Sequence, residues 1–161
     1  MDATRDVLDV LVTDARESTA DIARQTGLDE AAVDAAVDDL EERGAVRGYQ
    51  AVVDWSRVAE DHVEALVELN VELDRETGYD DIAGRIGQHP EVRSLRLVSG
   101  DYDFAIEVAA GSMHAVSQFV SERVAPIPEV TQTVTHFVMD THKRGGVPFD
   151  DDEDDRLSVS P

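Results

Sequence analysis

Residues 62–74 alternate with a period of two. Val63, Ala65, Val67, Leu69, Val71 and Leu73 fall on one side, and Glu64, Glu68, Asn70, Glu72 and Asp74 on the other. A chain with such a segment must lay it down as a long strand, one face in a core and the other toward a polar surface. That strand needs a sheet around it, and the following segments predict one. Residues 79–88 place Ile82, Ala83 and Ile86 at helical spacing and end near Gly87 and Pro90. Residues 92–99 predict a second strand, with Leu95 and Leu97 flanking Arg96, and Gly100-Asp101-Tyr102-Asp103 predicts a tight turn. Phe104, Ile106 and Val108 alternate in a third strand. Gly111 and Ser112 open a helix with Met113, Val116, Val120 and Val124 on one face, broken by Pro126 and Pro128. Residues 129–140 predict a last strand, with Thr131, Thr133, Thr135, Phe137 and Met139 on one face.

The order is βαββαβ, a ferredoxin-like unit: one four-stranded sheet with two helices on one face. The other face is left to be covered, and two copies with their sheets facing each other would cover it, which predicts a dimer. After residue 142 the chain carries Gly145-Gly146, a proline and six consecutive acids at 150–155, so 143–161 is expected to be a solvated, disordered acidic tail.

The first third has a helical period instead. Val7, Leu8, Leu11 and Val12 form a stripe within 3–13. Ser18 with Asp21 resembles a capping box opening a helix over about 19–26 that buries Ile22 and Ala23 and stops at Gly27. Asp29 then caps a third helix, with Val33, Ala36, Val37 and Leu40 on one face and Gly44 at its end. Residues 45–54 alternate loosely around Gly48 and predict a strand pair or an extended wing. Three short helices, a glycine turn between the second and third, and a wing describe a winged helix-turn-helix.

Composition sets the remaining bounds. The chain has 161 residues, enough for one ordinary domain or two small ones, and 42% of them are hydrophobic, which argues against wholesale disorder. The absence of cysteine excludes a disulfide framework, a thiolate metal site and a cysteine nucleophile. No stretch reaches about 18 apolar residues and the acidic start is not a signal peptide, so a cytoplasmic protein without a membrane partner is expected. The formal net charge is −22. Residues 1–61 hold 6 basic against 16 acidic residues, 62–142 hold 5 against 14, and 143–161 hold 3 against 6, so the excess is global. Of the 14 cations, 13 are arginine, and of the 36 acids 22 are aspartate. Such self-repulsion is tolerable when salt shortens the Debye length to about 3 Å, and the composition resembles that of proteins from salt-accumulating microbes. Taken alone, the charge places nucleic acid last among partners.

The motifs say otherwise. Asp14-Ala-Arg16-Glu-Ser18, Ile22-Ala23-Arg24-Gln25-Thr26-Gly27-Leu28 and Leu40-Glu41-Glu42-Arg43-Gly44-Ala45-Val46-Arg47-Gly48-Tyr49, followed by Leu97-Val98-Ser99-Gly100-Asp101-Tyr102-Asp103-Phe104 and Val130-Thr131-Gln132-Thr133-Val134-Thr135 with Val138 and Met139, stand in order on the right elements. Over about residues 3–142 the chain resembles the Lrp/AsnC (feast/famine) transcriptional regulators, of a haloarchaeal type. The resemblance implies an α+β protein: a winged helix-turn-helix domain over 1–60, then a ferredoxin-like effector-binding and oligomerisation domain over 61–142. It implies homodimers or larger homo-oligomers, double-stranded DNA as partner, a small effector, commonly an amino acid, and no cofactor. For DNA the implied positions are Arg16, Ser18, Thr19, Arg24, Glu30, Ala31, Asp34 and Arg47. For the effector they are Gly100, Asp101, Tyr102, Asp103, Thr133 and Thr135. Asp101 and Asp103 could accept from an ammonium group; the same turn could equally be a structural hairpin, with Tyr102 at a subunit contact.

One departure matters. By the family's layout 29–42 is the recognition helix, and its outer face here is Glu30, Ala31, Asp34, Ala35 and Asp38, with no Arg, Lys, Asn or Gln before Arg43. It lacks the side chains that read guanine or adenine bidentately. Either DNA is bound through Arg16, Arg24, Arg47 and backbone groups at high salt, or the helical domain serves as a module of a DNA-free amino-acid sensor. Catalytic motifs are absent, and His62, His89, His114, His136 and His142 show no metal-ligand spacing. The enzyme alternative is a sirohaem decarboxylase, a group sharing this two-domain plan, but the Gly100–Asp103 turn follows the regulator pattern.

Overall fold

Polar caps set the helix boundaries. The Asp2 carboxylate accepts from the Thr4 N–H at 3.2 Å and starts α1, Ala3–Leu11. The Ser18 hydroxyl accepts from the Asp21 N–H at 3.1 Å and starts α2, Thr19–Thr26. Asp29 accepts from the Ala32 N–H at 2.7 Å and starts α3, Glu30–Glu42. Such caps satisfy N–H groups that the helix itself leaves unpaired and stabilise it by about 1 kcal/mol each. Gly27 closes α2 with φ +76°, a left-handed conformation that costs other residues strain.

The computed structural model describes residues 2–58 and 60–149. The chain divides into two compact units, one holding the chain up to Val52 together with Arg144–Pro148, the other holding Val53–Lys143. In the first, Val7, Ile22, Ala23, Val33 and Ala36 form the core, with Leu28 and Val37 packed against it. These are the positions the helical period marks. The Thr19 hydroxyl donates to Asp34 at 2.9 Å, fastening the start of α2 to α3. After Gly44 (φ +66°) the chain runs without strand pairing through 45–54, and the Tyr49 hydroxyl donates to Glu41 at 2.9 Å. The wing is therefore an extended segment and not a strand pair; its loose alternation offers no cross-strand apolar pairs to hold one.

Residues 143–149 depart from the expected tail. Lys143–Arg144 (β5) pairs with Val147–Pro148 (β6) around Gly145 (φ +55°) and Gly146 (φ +83°). A two-residue loop with both φ positive is the hairpin turn whose twist matches its strands, and Gly-Gly enters it without strain. A Cβ on Gly145 would lie 3.2 Å from Val52 Cγ2, so the turn sits closely on the end of the extended segment. The six acids at 150–155 lie outside the described residues.

The second unit contains β1 (Val63–Val71), α4 (Tyr79–Gly87), β2 (Val92–Leu97), β3 (Phe104–Ala110), α5 (Met113–Phe119) running into a π-helical turn (Val120–Val124), and β4 (Val130–Phe137). The antiparallel sheet has the order β2-β3-β1-β4, the ferredoxin-like arrangement. Ala65, Val67 and Leu69 are buried with Phe104, Ile106, Val108, Ile82, Ile86, Val116 and Val124. The opposite face carries Leu66, 46% exposed, with a contact between the Glu68 carboxylate and the His136 imidazole at 3.3 Å and an ion pair, Glu107–Arg96, at 2.7 Å. One charged group is drawn inward: Glu129, 8% exposed, is met by the Arg85 guanidinium at 3.1 Å.

Candidate nucleic-acid interface and effector site

In the helical unit, Gly27 turns the chain so that α3 shows Glu30, Ala31, Asp34, Ala35 and Asp38 to solvent while Val33, Ala36 and Leu40 are buried. Most polar groups on this surface already have partners. Ser18 both caps α2 and donates to Asp21 at 2.6 Å. Arg24 is held by the same carboxylate at 2.7 Å. The Ser18 hydroxyl, with Arg24 beside it, keeps the Asp21 carboxyl below its ordinary range. Thr19 donates to Asp34, so Asp34 serves as a brace between helices before it can face a base. Arg5 and Arg43 are paired with Asp9 and Asp39. Arg16 and Arg47 differ. Both are exposed, and neither guanidinium is in an ion pair among the described residues. Arg47 lies over Gly44, where a Cβ would come within 3.7 Å of its Nη2. The Glu41 carboxylate, accepting from the Tyr49 hydroxyl, raises that phenol above its usual range.

The six residues assigned to an effector separate into two groups. Gly100, with φ +141°, Asp101, Tyr102 and Asp103 form the turn between β2 and β3. Asp103 is structural as well as acidic. Its N–H donates to the Leu69 carbonyl at 2.9 Å, and its carboxylate accepts from the Val71 N–H at 2.9 Å, beside the register shift at Asn70/Val71. The Asp101 side chain is exposed and Tyr102 is half-buried. Thr133 and Thr135 pair with Leu69 and Val67, which puts both on the helix-covered face of the sheet. Thr133 shares the row of Leu69 and Phe104 and so reaches the same end of the sheet as the turn, whereas Thr135 lies a row further in. No group of three or more potential metal ligands occurs among the described residues. No helix among them is long and apolar enough to cross a membrane.

Sequence reasoning missed the Thr19–Asp34 brace, the Asp103–Val71 bond and the 143–148 hairpin. The first two join residues far apart in sequence. The third had a signal, the Gly145-Gly146 dipeptide.

Comparison with known proteins agrees with this layout. Residues 2–47 match the winged helix-turn-helix DNA-binding model, and residues 64–148 the model of the Lrp/AsnC ligand binding domain. The chain is 33% identical over 158 residues, 97% of its length and 95% of the relative's, to the uncharacterized HTH-type transcriptional regulator YugG of Bacillus subtilis. The leucine response regulatory protein of Mycobacterium tuberculosis superposes with a TM-score of 0.75 at 27% identity, covering 90% of this chain and 96% of that one. A feast or famine regulatory protein from M. tuberculosis, complexed with L-methionine, gives 0.72 at 27%, covering 89% and 94%. These relatives are regulators and not decarboxylases, which removes the enzyme alternative. A DNA-binding fold and a ligand-binding fold, matched in order along one chain with a relative aligned over nearly its whole length, place this protein in the Lrp/AsnC family of transcriptional regulators.

Proposed function

We propose that the protein is a sequence-specific DNA-binding regulator of the haloarchaeal type, acting in a salt-rich cytoplasm as a homodimer or larger homo-oligomer and sensing an amino acid. Residues 1–60 are assigned to DNA and residues 61–142 to effector binding and assembly. The observation that carries the DNA reading is the contrast among the arginines: Arg5, Arg24 and Arg43 are held by acids, while Arg16 and Arg47 are exposed without an ion pair among the described residues. Those two supply phosphate contacts; Ser18, Thr19, Arg24, Glu30, Ala31 and Asp34 frame the surface around them. At molar salt the counterion-release term shrinks, and with it the cost of carboxylates near phosphate.

For the effector, Gly100, Asp101, Tyr102, Asp103 and Thr133 gather at one end of the sheet, with Thr135 behind them. Asp101 is the ammonium acceptor, since Asp103 is engaged with the backbone. The methionine bound by a relative of the same fold supports an amino acid as the ligand class. The sheet face bearing Leu66, Glu68 and Glu107 is the surface on which a second copy packs.

A second reading, a sensor that no longer binds DNA, is favoured by one feature: the outer face of α3 has no base-reading side chain. Titration of the protein onto promoter fragments in dilute and in molar KCl separates the two. A sequence-selective complex is expected; none at any salt would sink the DNA reading. Thermal shift against a panel of amino acids in molar KCl tests the sensor function, with a rise in melting temperature expected for one or a few.

A further inference from the structure

The second unit starts at Val53, and its first element is a short 3-10 turn, Trp55–Arg57, which holds the one tryptophan of the chain. The Trp55 indole lies against the His62 imidazole, with ring centroids 4.3 Å apart and planes 20° from parallel. Nε2 of the same imidazole is 3.1 Å from a carboxylate oxygen of Glu64, on β1. The side chains of His62 and Glu64 are only 16% and 21% exposed. The imidazoles of the other histidine–acid contacts, His136 with Glu68 and His142 with Asp140, are more than half exposed. We infer that Trp55, His62 and Glu64 form a protonation-sensitive clasp, closed when the imidazole is charged, that fastens the 3-10 turn to the start of β1.

A neutral imidazole keeps the stack as an aromatic contact. A proton adds a cation–π attraction to the indole and makes the Glu64 contact a charge-assisted bond. Both favour the closed clasp, and both are lost as the proton leaves. Histidine is the side chain whose charge changes between about pH 5 and 8. The other charged groups around His62 are these. On the 3-10 turn, Asp54 accepts from the Ser56 hydroxyl at 2.5 Å and pairs with Arg57 at 3.2 Å, which holds its carboxyl below the ordinary range. Glu60 and Asp61 precede the imidazole in sequence. On β3, Val63 and Glu64 face Ala110 and Ala109, which bring no charge. Beyond β4, the Val138 N–H donates to the Glu64 carbonyl at 2.9 Å, and the titratable residues on either side of it, His136 and Asp140, contact Glu68 and His142. Opening the clasp adds residues 53–61 to the chain that leads from the helical unit to β1, and closing it shortens that tether. The device depends on neither the DNA nor the effector assignment.

Because Trp55 is the sole tryptophan and is exposed, its fluorescence reads the clasp in the full chain. Emission and acrylamide quenching are recorded in molar KCl from about pH 8 down to about pH 5.5, for wild type, H62Q, H62F and E64Q. In wild type, acid is expected to lower the emission, since a charged imidazole quenches a stacked indole. It is also expected to lower the acrylamide quenching constant by up to about twofold, as the imidazole covers one of the two indole faces for more of the time. H62Q is expected to give the high constant at every pH. H62F keeps a ring on the indole without a proton site, and its constant is expected to stay level across the range. E64Q is expected to respond less than wild type. A wild-type constant that does not change with pH overturns the inference. So does a wild-type response that survives in H62Q or H62F, or an E64Q response as large as that of wild type.

Discussion

Asp103 shows how one residue can carry the fold and resemble a ligand at once. Its carboxylate accepts the Val71 N–H, a donor that would otherwise be left unpaired at the irregular end of β1. A hydrogen bond to a charged acceptor is worth about 1.5–3 kcal/mol, and losing the acceptor leaves the donor unsatisfied. Asp103→Ala is therefore expected to destabilise the protein by about 2 kcal/mol in chemical unfolding. Asp103→Asn keeps an acceptor oxygen and should retain most of that stability. Asp101 is exposed, and Asp101→Asn should weaken the amino-acid response with no change in unfolding midpoint. If Asp101→Asn leaves the response intact while Asp103→Asn abolishes it, the ammonium acceptor has been assigned to the wrong carboxylate. The sequence displays both acids in one turn and offers no means of ranking them, because the partner that distinguishes them lies 32 residues away.

At the scale of elements, the acidic face of α3 makes its own prediction. Two unit charges about 4 Å apart in water interact by about 1 kcal/mol, roughly fivefold in affinity. Asp34→Asn and Asp38→Asn should each tighten DNA binding by up to about that factor in dilute KCl, and the gain should vanish in molar KCl. In Asp34→Asn the amide oxygen would still accept from Thr19, so the brace to α2 is kept. An unchanged affinity in dilute salt would place this face away from the phosphates. The elements themselves are largely legible in the sequence. Alternation in β1 and β3, broken only by Leu66 and by small alanines, and the caps Ser18 and Asp29 are local signals, and the local chemistry decides them. Less legible are features where a local signal is overruled. Charge and proline around Gly145-Gly146 suggest a tail, yet the glycine pair makes a two-residue hairpin turn. The loose alternation of 45–54 allows a strand pair or an extended wing, and only the absence of a pairing partner among the described residues decides for the second. Helical spacing from Met113 to Val124 marks the helix, but not the widening of its last turn to a π-helix at Val120–Val124.

Across the whole molecule the governing quantity is the net charge of −22, carried in similar proportion by both halves. Each folded unit must confine that charge, and the repulsion it pays depends on screening: the Debye length is about 30 Å at 0.01 M salt, about 10 Å at 0.1 M and about 3 Å at 1 M. Surface ion pairs such as Arg5–Asp9 and Arg43–Asp39 are too few and too exposed to offset it, since such pairs contribute about 0–1 kcal/mol and weaken in salt. The unfolding midpoint is therefore expected to rise from dilute to molar KCl. The shape of the rise identifies its cause. Screening acts mostly before the Debye length falls below the spacing of neighbouring surface charges, so the curve should climb steeply at low salt and then flatten. Solute exclusion from the surface would instead keep raising the midpoint in proportion to concentration, and sucrose, which acts by exclusion alone, supplies that comparison. A midpoint that does not move with KCl, or that follows the straight line of sucrose, would show that the acidic surface is not what ties this fold to salt.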